Sequence, residues 1–310
     1  MSFSRVQAQT RATTILDGLL ASARIPSALL FSGIEGVGKT RMARELAKAL
    51  LSQDKKAPAE PCGDCADCLA VDKGLHPDAK IIDATYQAGL VEGEAAKQKI
   101  LQADTLRHAR RDMELQSMLG RWKIAVVCDA HTMTDAAANV LLKSLEEPQA
   151  RSLWILVTSH KTRILKTILS RCFSVTFSPL PPAAVKALLL ANGLEGDRAE
   201  KYSALCDGSV SRALELSQGP DFPDSLRAGP LSPLEAAEAL PKELHLARTQ
   251  VELALFALAQ DLRLRHLRGQ AAFHRVEKPL MELGRLRQAL RSNADPKTVL
   301  LLAALETEGL

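Results

Sequence analysis

Aromatic residues are scarce in this chain: seven Phe, two Trp and two Tyr amount to 4% of 310 residues. A core short of rings has to be filled by Leu, Ala, Val and Ile, which favours abundant helix, and a surface short of rings offers little for nucleic-acid bases to stack on. Also missing is any apolar run approaching the 18 or more residues of a membrane span, and Met1 to Thr10 lacks the apolar core of a signal peptide. Neither sign of charge dominates. Forty Lys and Arg against 36 Asp and Glu leave +4, which permits weak contact with nucleic acid but argues for no dedicated basic surface. A disulfide framework is absent as well: Cys62, Cys65 and Cys68 cluster, while Cys128, Cys172 and Cys206 are scattered. These absences lead to the expectation of a soluble, cytoplasmic protein with reduced thiols, and the length predicts two or three domains.

What is present begins with Gly33-Ile34-Glu35-Gly36-Val37-Gly38-Lys39-Thr40, which satisfies GxxxxGK[ST] at every fixed position. The apolar run Ala28 to Phe31 leads in as a buried strand, and Arg41 to Leu51 leads out at helical spacing, the context a P-loop requires. Gly36 and Gly38 let the backbone curl so that its amides face a phosphate. Lys39 supplies a charge for the terminal phosphates and Thr40 a hydroxyl for Mg²⁺. A helix over Gln7 to Ala23 precedes this unit, from the spacing of Ala12, Ile15, Leu16, Leu19 and Leu20.

Beyond a polar stretch at Ser52 to Glu60, Cys62, Cys65 and Cys68 are spaced i, i+3, i+6, as a tight knuckle or a helix start presents sulfur to one tetrahedral zinc. A closed structural site needs a fourth ligand. His76, Asp64 and Asp67 are near in sequence but none has diagnostic spacing, and a reduced, metal-free loop is the alternative.

Ala79 to Ile82 reads as a second strand and Gln98 to Leu119 as a helical stretch. Lys123 to Asp129 then forms a buried strand ending in an acid, where a P-loop NTPase keeps the residue that holds Mg²⁺. Hydrolysis in such ATPases uses a second acid to position water, and Cys128-Asp129-Ala130 contains only one. Thr134 is expected to cap a helix over Asp135 to Glu147. The strand Leu153 to Val157 ends at Thr158-Ser159, where Thr158 is either a γ-phosphate sensor or an ordinary polar strand end. Ser174 to Phe177 is the fifth strand, so apolar strands and helices alternate into a parallel sheet covered on both faces. Pro179 to Pro182 marks a boundary, and Ala183 to Gln218 is a small helical unit carrying Arg212. A Pro- and Gly-rich loop then leads to a helical end that includes Leu244 to Leu267 and Pro296 to Leu305. The basic segment Arg263 to Arg268 lacks interleaved aromatics and reads as a solvated helix face.

The run AAANVLLKSLEEP at 136–148, followed by ILSRC at 168–172, closely resembles AAA+ clamp-loader subunits, the family of gamma/tau and delta-prime in bacterial replicative polymerases. The P-loop, the cysteine cluster, His76-Pro77-Asp78 and the tail NADPKTVLLLAAL extend the resemblance over nearly the whole chain. It implies an α/β fold: an AAA+ core with a five-stranded parallel sheet at 1–178, including the cysteine insertion at 62–68, and a helical lid at 179–218. A linker at 219–233 and a helical collar at 234–310 complete the implied plan. The CDAH sequence, where a gamma-type motor carries DE, and the collar-like end bring the chain nearest the delta-prime branch.

The resemblance further implies an accessory subunit of a DNA-directed DNA polymerase, in a five-subunit ring with gamma/tau and delta, acting through that ring on the sliding clamp and primer-template DNA. Arg171 is implied to be an arginine finger reaching a neighbour's ATP site, and Arg212 a lid contact to nucleotide on this chain's own P-loop. The implied cofactors are ATP with Mg²⁺ and a structural Zn²⁺. Relatives with the knuckle usually supply a first Cys at the end of the P-loop helix, where Ser52 stands. The competing readings are an ATP-hydrolysing gamma-type motor and a zinc-containing scaffold with a vestigial P-loop.

Overall fold

The computed structural model describes residues 6, 8–53, 60–91, 100–118, 121–218 and 233–307. The chain divides into two compact units, Met1–Pro179 and Leu180–Leu310.

In the first unit, strands β1 (Ala28–Ser32), β2 (Ala79–Ile82), β3 (Lys123–Val127), β4 (Ser152–Thr158) and β5 (Phe173–Thr176) form one wholly parallel sheet, ordered β2-β3-β4-β1-β5. The three inner strands β3, β4 and β1 are buried throughout because both their faces are covered, whereas the edge strands are partly exposed and β5 buries only Val175 among its four residues. Period-2 alternation sorts the inward side chains between two cores. Leu29, Phe31, Ile124, Val126, Leu153, Ile155 and Val175 face α1 (Thr10–Ala21) and α2 (Lys39–Leu51). Leu30, Ala125, Val127, Trp154 and Leu156 face the other way, with side chains from α5 (Ala103–Glu114), α6 (Asp135–Glu146) and α7 (Lys166–Leu169).

Helix starts follow local chemistry. Gly38, at φ +92°, opens α2, and the Thr134 hydroxyl accepts from the Ala137 amide to open α6, as its sequence predicts. The short α3 (Ala66–Asp72) begins at Cys65, whose sulfur accepts from the Cys68 amide. Nothing in the periodicity announces α4 (Ala84–Val91), which starts where the Asp83 carboxylate accepts from the Tyr86 amide. The helix expected over Gln98 to Leu119 is shorter at both ends, with residues 98, 99 and 119 outside the described part.

His76-Pro77-Asp78 is structural. The His76 Nδ1 accepts from the Asp78 amide, and the buried Asp78 carboxylate accepts from the Ser117 hydroxyl and the Met118 amide with Lys123 3.6 Å away. These partners satisfy the oxygens of a carboxylate that has no access to water.

Among the described residues, the second unit is helical: α8 (Pro182–Ala191), α9 (Gly196–Leu205), α10 (Val210–Gln218), α11 (Pro233–Glu238), α12 (Leu244–Leu267), α13 (Phe273–Arg291) and α14 (Pro296–Thr307). Two cores are present. One gathers Val185, Leu189, Tyr202, Leu205 and Ala213 with Ala257 of α12; the other gathers Val251, Leu255, Leu258 and Leu262 of α12 with α11, α13 and α14. The Asp295 carboxylate accepts from the Thr298 amide and hydroxyl at 2.9 Å, fixing the start of α14 behind Pro296. Apart from Pro233, the linker expected at 219–233 lies outside the described residues. No helix among the described residues is long and apolar enough to cross a membrane.

Candidate nucleotide site and cysteine knuckle

The order β3-β4-β1 brings three strand ends side by side: Ser32 pairs with Thr158, and Val127 with Leu156. The P-loop leaves β1 there, at the carboxyl edge of a parallel sheet, where doubly wound folds bind ligands. Gly33 takes φ +155°, and a Cβ added to it would stand 2.5 Å from the Phe177 carbonyl oxygen. Gly36 (φ +75°) and Gly38 (φ +92°) occupy conformations that side chains disfavour. The glycines of the motif are thus required by backbone shape.

Lys39 folds back into this loop, its ammonium donating to the carbonyls of Gly33 at 2.8 Å and Ile34 at 2.5 Å. Burial lowers its pKa to about 8, against the raising influence of Glu35 and Asp129. A phosphate arriving in the loop supplies the negative charge that burial withholds, so the lysine is built for an anion.

The divalent-metal position is less complete. The Cys128 thiol lies at the end of β3, where a hydrogen bond from Thr40 acts on it. Burial raises this thiol to about 12, with Asp83 and Asp129 adding to the effect, so it is neutral at physiological pH. A neutral thiol is a poor partner for Mg²⁺, which selects oxygen donors. Asp129, in the left-handed conformation (φ +47°), lies in the electrostatic reach of Lys39 and His131. The residues therefore fit a nucleotide's phosphates well and its magnesium incompletely.

Thr158 is fully buried, and its hydroxyl accepts from the His160 amide at 3.1 Å. The His160 and His131 rings meet at a 42° tilt with centroids 4.7 Å apart. Burial lowers the His131 pKa, opposed by Asp129. Sequence reasoning nominates neither histidine, although each stands two residues beyond a nominated one, Thr158 and Asp129.

Arg171 lies half-exposed beyond α7. Its guanidinium pairs with Glu146 at 2.9 Å and donates to the Thr167 carbonyl at 3.0 Å. Arg212, in the second unit, lies over the Phe256 ring at 4.1 Å. Along the basic segment of α12, Arg265 pairs with Asp261 one turn back while Arg263 and Arg268 are exposed. A groove on the α5–α6 face is lined by Arg110 and Lys143 together with Glu114, Glu146 and Glu147, a mixed-sign wall rather than a phosphate cradle.

The knuckle is brought together as its spacing predicts. The Sγ atoms of Cys62, Cys65 and Cys68 lie within 4.8 Å of one another, with Cys62 and Cys68 3.9 Å apart. Zinc–sulfur bonds of about 2.3 Å in a tetrahedron place sulfurs about 3.8 Å apart, so the three thiols fit. The Cys65 amide donates to the Cys62 sulfur at 3.3 Å. The Ser52 hydroxyl bond lowers the Cys62 pKa to about 6, and burial raises that of Cys68 to about 11.

The fourth-ligand candidates named from sequence are turned to other tasks. Asp67 pairs with Arg121 at 3.0 Å and faces His76 Nε2 at 3.5 Å, a contact without hydrogen-bond geometry; Asp64 is exposed.

A family model described as "DNA polymerase III, delta subunit" matches residues 8–181. The delta' subunit of DNA polymerase III from Bacillus subtilis (strain 168) is 31% identical over 217 residues, covering 70% of this chain and 61% of that protein. The tau subunit of DNA polymerase III from Salmonella typhimurium is 32% identical over 222 residues, 70% of this chain but only 32% of tau. A crystal structure of a DNA polymerase III gamma subunit-related protein from Thermotoga maritima superposes with a TM-score of 0.50 at 18% identity, covering 94% of this chain and 98% of that one. At that identity the likeness is one of fold, and the fold is AAA+. Since the family model spans more than half of the sequence, the whole parallel sheet and its phosphate loop included, the chain belongs to the DNA polymerase III, delta subunit family.

Proposed function

We propose that this chain is a clamp-loader subunit of the delta-prime type, a non-motor member of a five-subunit ring with gamma/tau and delta. Through that ring it helps load the sliding clamp on primer-template DNA, in the cytoplasm, as an accessory subunit of the replicative polymerase. In this reading residues 1–178 are the nucleotide-binding core, 179–218 the lid and 234–310 the collar that packs the ring, joined by the linker at 219–233. A zinc in the cysteine knuckle braces the core.

One observation carries the choice of a non-motor role: beside an otherwise intact phosphate cradle the end of β3 reads Cys128-Asp129-Ala130, with a single acid and a thiol where a second could stand. The loop then holds ATP, with magnesium weakly placed, and its own hydrolysis is slow. Thr158 senses the γ-phosphate end. Arg212 reaches the nucleotide by leaving the Phe256 ring, a contact of about 1 kcal/mol at such a site. Arg171 acts in trans. Its pair with Glu146 is half-exposed and of the kind worth about 0–1 kcal/mol, so a neighbour's γ-phosphate competes for the guanidinium at little cost.

The alternative, a gamma-type motor, draws on Asp129 standing near Lys39. Turnover separates the two. The isolated chain is expected to show little Mg-ATP hydrolysis, whereas robust turnover would overturn the non-motor reading. In a reconstituted loader, Arg171→Ala is expected to lower DNA-stimulated ATPase strongly, since fingers contribute about 10³–10⁵ in rate. Unchanged activity removes the finger.

A further inference from the structure

We propose that Ser52 is the fourth ligand of the knuckle, so that this chain holds zinc through three sulfurs and one hydroxyl oxygen. The proposal rests on the zinc reading of Cys62, Cys65 and Cys68 and specifies how that site closes.

Distances carry it. The Ser52 Oγ lies 3.6 Å from the Cys62 sulfur and 3.5 Å from the Cys65 sulfur. In a tetrahedral site with zinc–sulfur bonds of about 2.3 Å and a zinc–oxygen bond of about 2.0 Å, oxygen and sulfur stand about 3.5 Å apart. The oxygen thus stands from two of the three sulfurs at the separation that a shared tetrahedral metal requires.

Ser52 is also held there. It closes α2, its amide donating to the Lys48 carbonyl at 2.8 Å, and it is 2% exposed. Lys48, one turn back and fully buried, pairs with Glu45 at 2.8 Å and with Asp72 at the end of α3 at 2.5 Å. That triad fastens the serine-bearing helix to the cysteine-bearing one. Arg121 adds a second tie, bonding the Leu51 carbonyl and the Asp67 carboxylate.

With zinc bound all three cysteines are thiolates, those still protonated releasing their protons to solvent, while the serine coordinates through a lone pair and keeps its proton. The shell then carries one net negative charge, where four thiolates carry two. A neutral hydroxyl is a weaker donor than a thiolate, so this site binds zinc less tightly than a four-sulfur site and exchanges it faster.

The test uses the full-length chain, stripped of metal and titrated with Zn²⁺ against a chelating indicator, and separately with Co²⁺ followed by absorption. Wild type is expected to bind one metal with a tetrahedral cobalt spectrum. Ser52→Cys should bind zinc at least about tenfold more tightly and raise the thiolate-to-cobalt band by about one-third, four sulfurs against three. Ser52→Ala should bind at least about tenfold more weakly, while Asp64→Ala matches wild type. Circular dichroism checks that each variant is folded. If Ser52→Ala binds as tightly as wild type, Ser52 is not a ligand and the proposal fails. Failure of wild type and Ser52→Cys alike to bind metal removes the zinc reading itself, and the proposal with it.

Discussion

Replacing Gly33 by Ala tests the claim that the phosphate loop is shaped by its contact with the end of β5. The added Cβ would lie 2.5 Å from the Phe177 carbonyl oxygen and 3.0 Å from its Cβ. Phe177 has nowhere to go: it is 2% exposed, its amide donates to the Ser32 carbonyl at 2.7 Å, and its ring sits 5.2 Å from that of Phe31. Backbone strain at a positive φ costs about 1–2 kcal/mol and overpacking about 1–3, together about 2–5 kcal/mol. At roughly 2–4 °C per kcal/mol for a unit of this size, the melting temperature should fall by about 4–20 °C. Gly38→Ala is the internal control. Its φ of +92° imposes the same kind of strain, but the nearest atom is Val6 Cγ1 at 3.6 Å, an ordinary contact, so about 1–2 kcal/mol is expected. Scanning calorimetry of both variants reads the difference. Equal melting temperatures for the two would refute the argument that Phe177 sets the identity of residue 33.

Lys39 makes a pH-dependent contribution. Its ammonium titrates at about 8 in the folded chain and near 10.5 in the unfolded one, so between those values the unfolded state holds the extra proton. Stability therefore rises with pH across that window, and the penalty of the buried charge is fully present below about pH 8. Against Lys39→Met, wild type should gain about 2–3 kcal/mol from pH 7.5 to 10.5 in urea titrations, and a pH-independent difference would contradict the burial argument. Cys128→Asp puts a carboxylate where the thiol meets Thr40. Nucleotide affinity should then become about tenfold or more dependent on Mg²⁺, measured with a fluorescent nucleotide with and without chelator. No gain would mean that residue 128 does not face the metal position.

The sheet is legible in the sequence because a parallel strand buried on both faces needs apolar residues throughout, as Leu29 to Phe31 and Leu153 to Val157 display. Local chemistry likewise discloses the Thr134 cap and the extent of Leu244 to Leu267, whose bounds coincide with α12. By contrast, α13 contains Pro279, which interrupts the helical pattern while its neighbours still hold the helix.

Site details were hidden for a different reason. That the Cys128 thiol stands near Thr40 depends on the register of β3 against β4, whose residues lie far along the chain. The Ser52 hydroxyl stands beside Cys62 and Cys65 only because α2 and α3 are fastened by Lys48, Glu45 and Asp72. Ten residues of separation give no periodic signal for that meeting, and only the resemblance to relatives with a Cys at that place marks it.

The strand order has a consequence for synthesis. Strand β1 emerges first, yet its hydrogen-bonding neighbours are β4 and β5, the last strands of the sheet to be made. At roughly 5–20 residues per second, a gap of about 120 residues between β1 and the start of β4 leaves the newborn strand unpaired for about 6–25 s. During that interval Ala28 to Phe31 is an apolar ribbon with both edges open, a template for pairing with other chains. The phosphate loop inherits this timing, since the strand that launches it is locked only when the sheet closes around it.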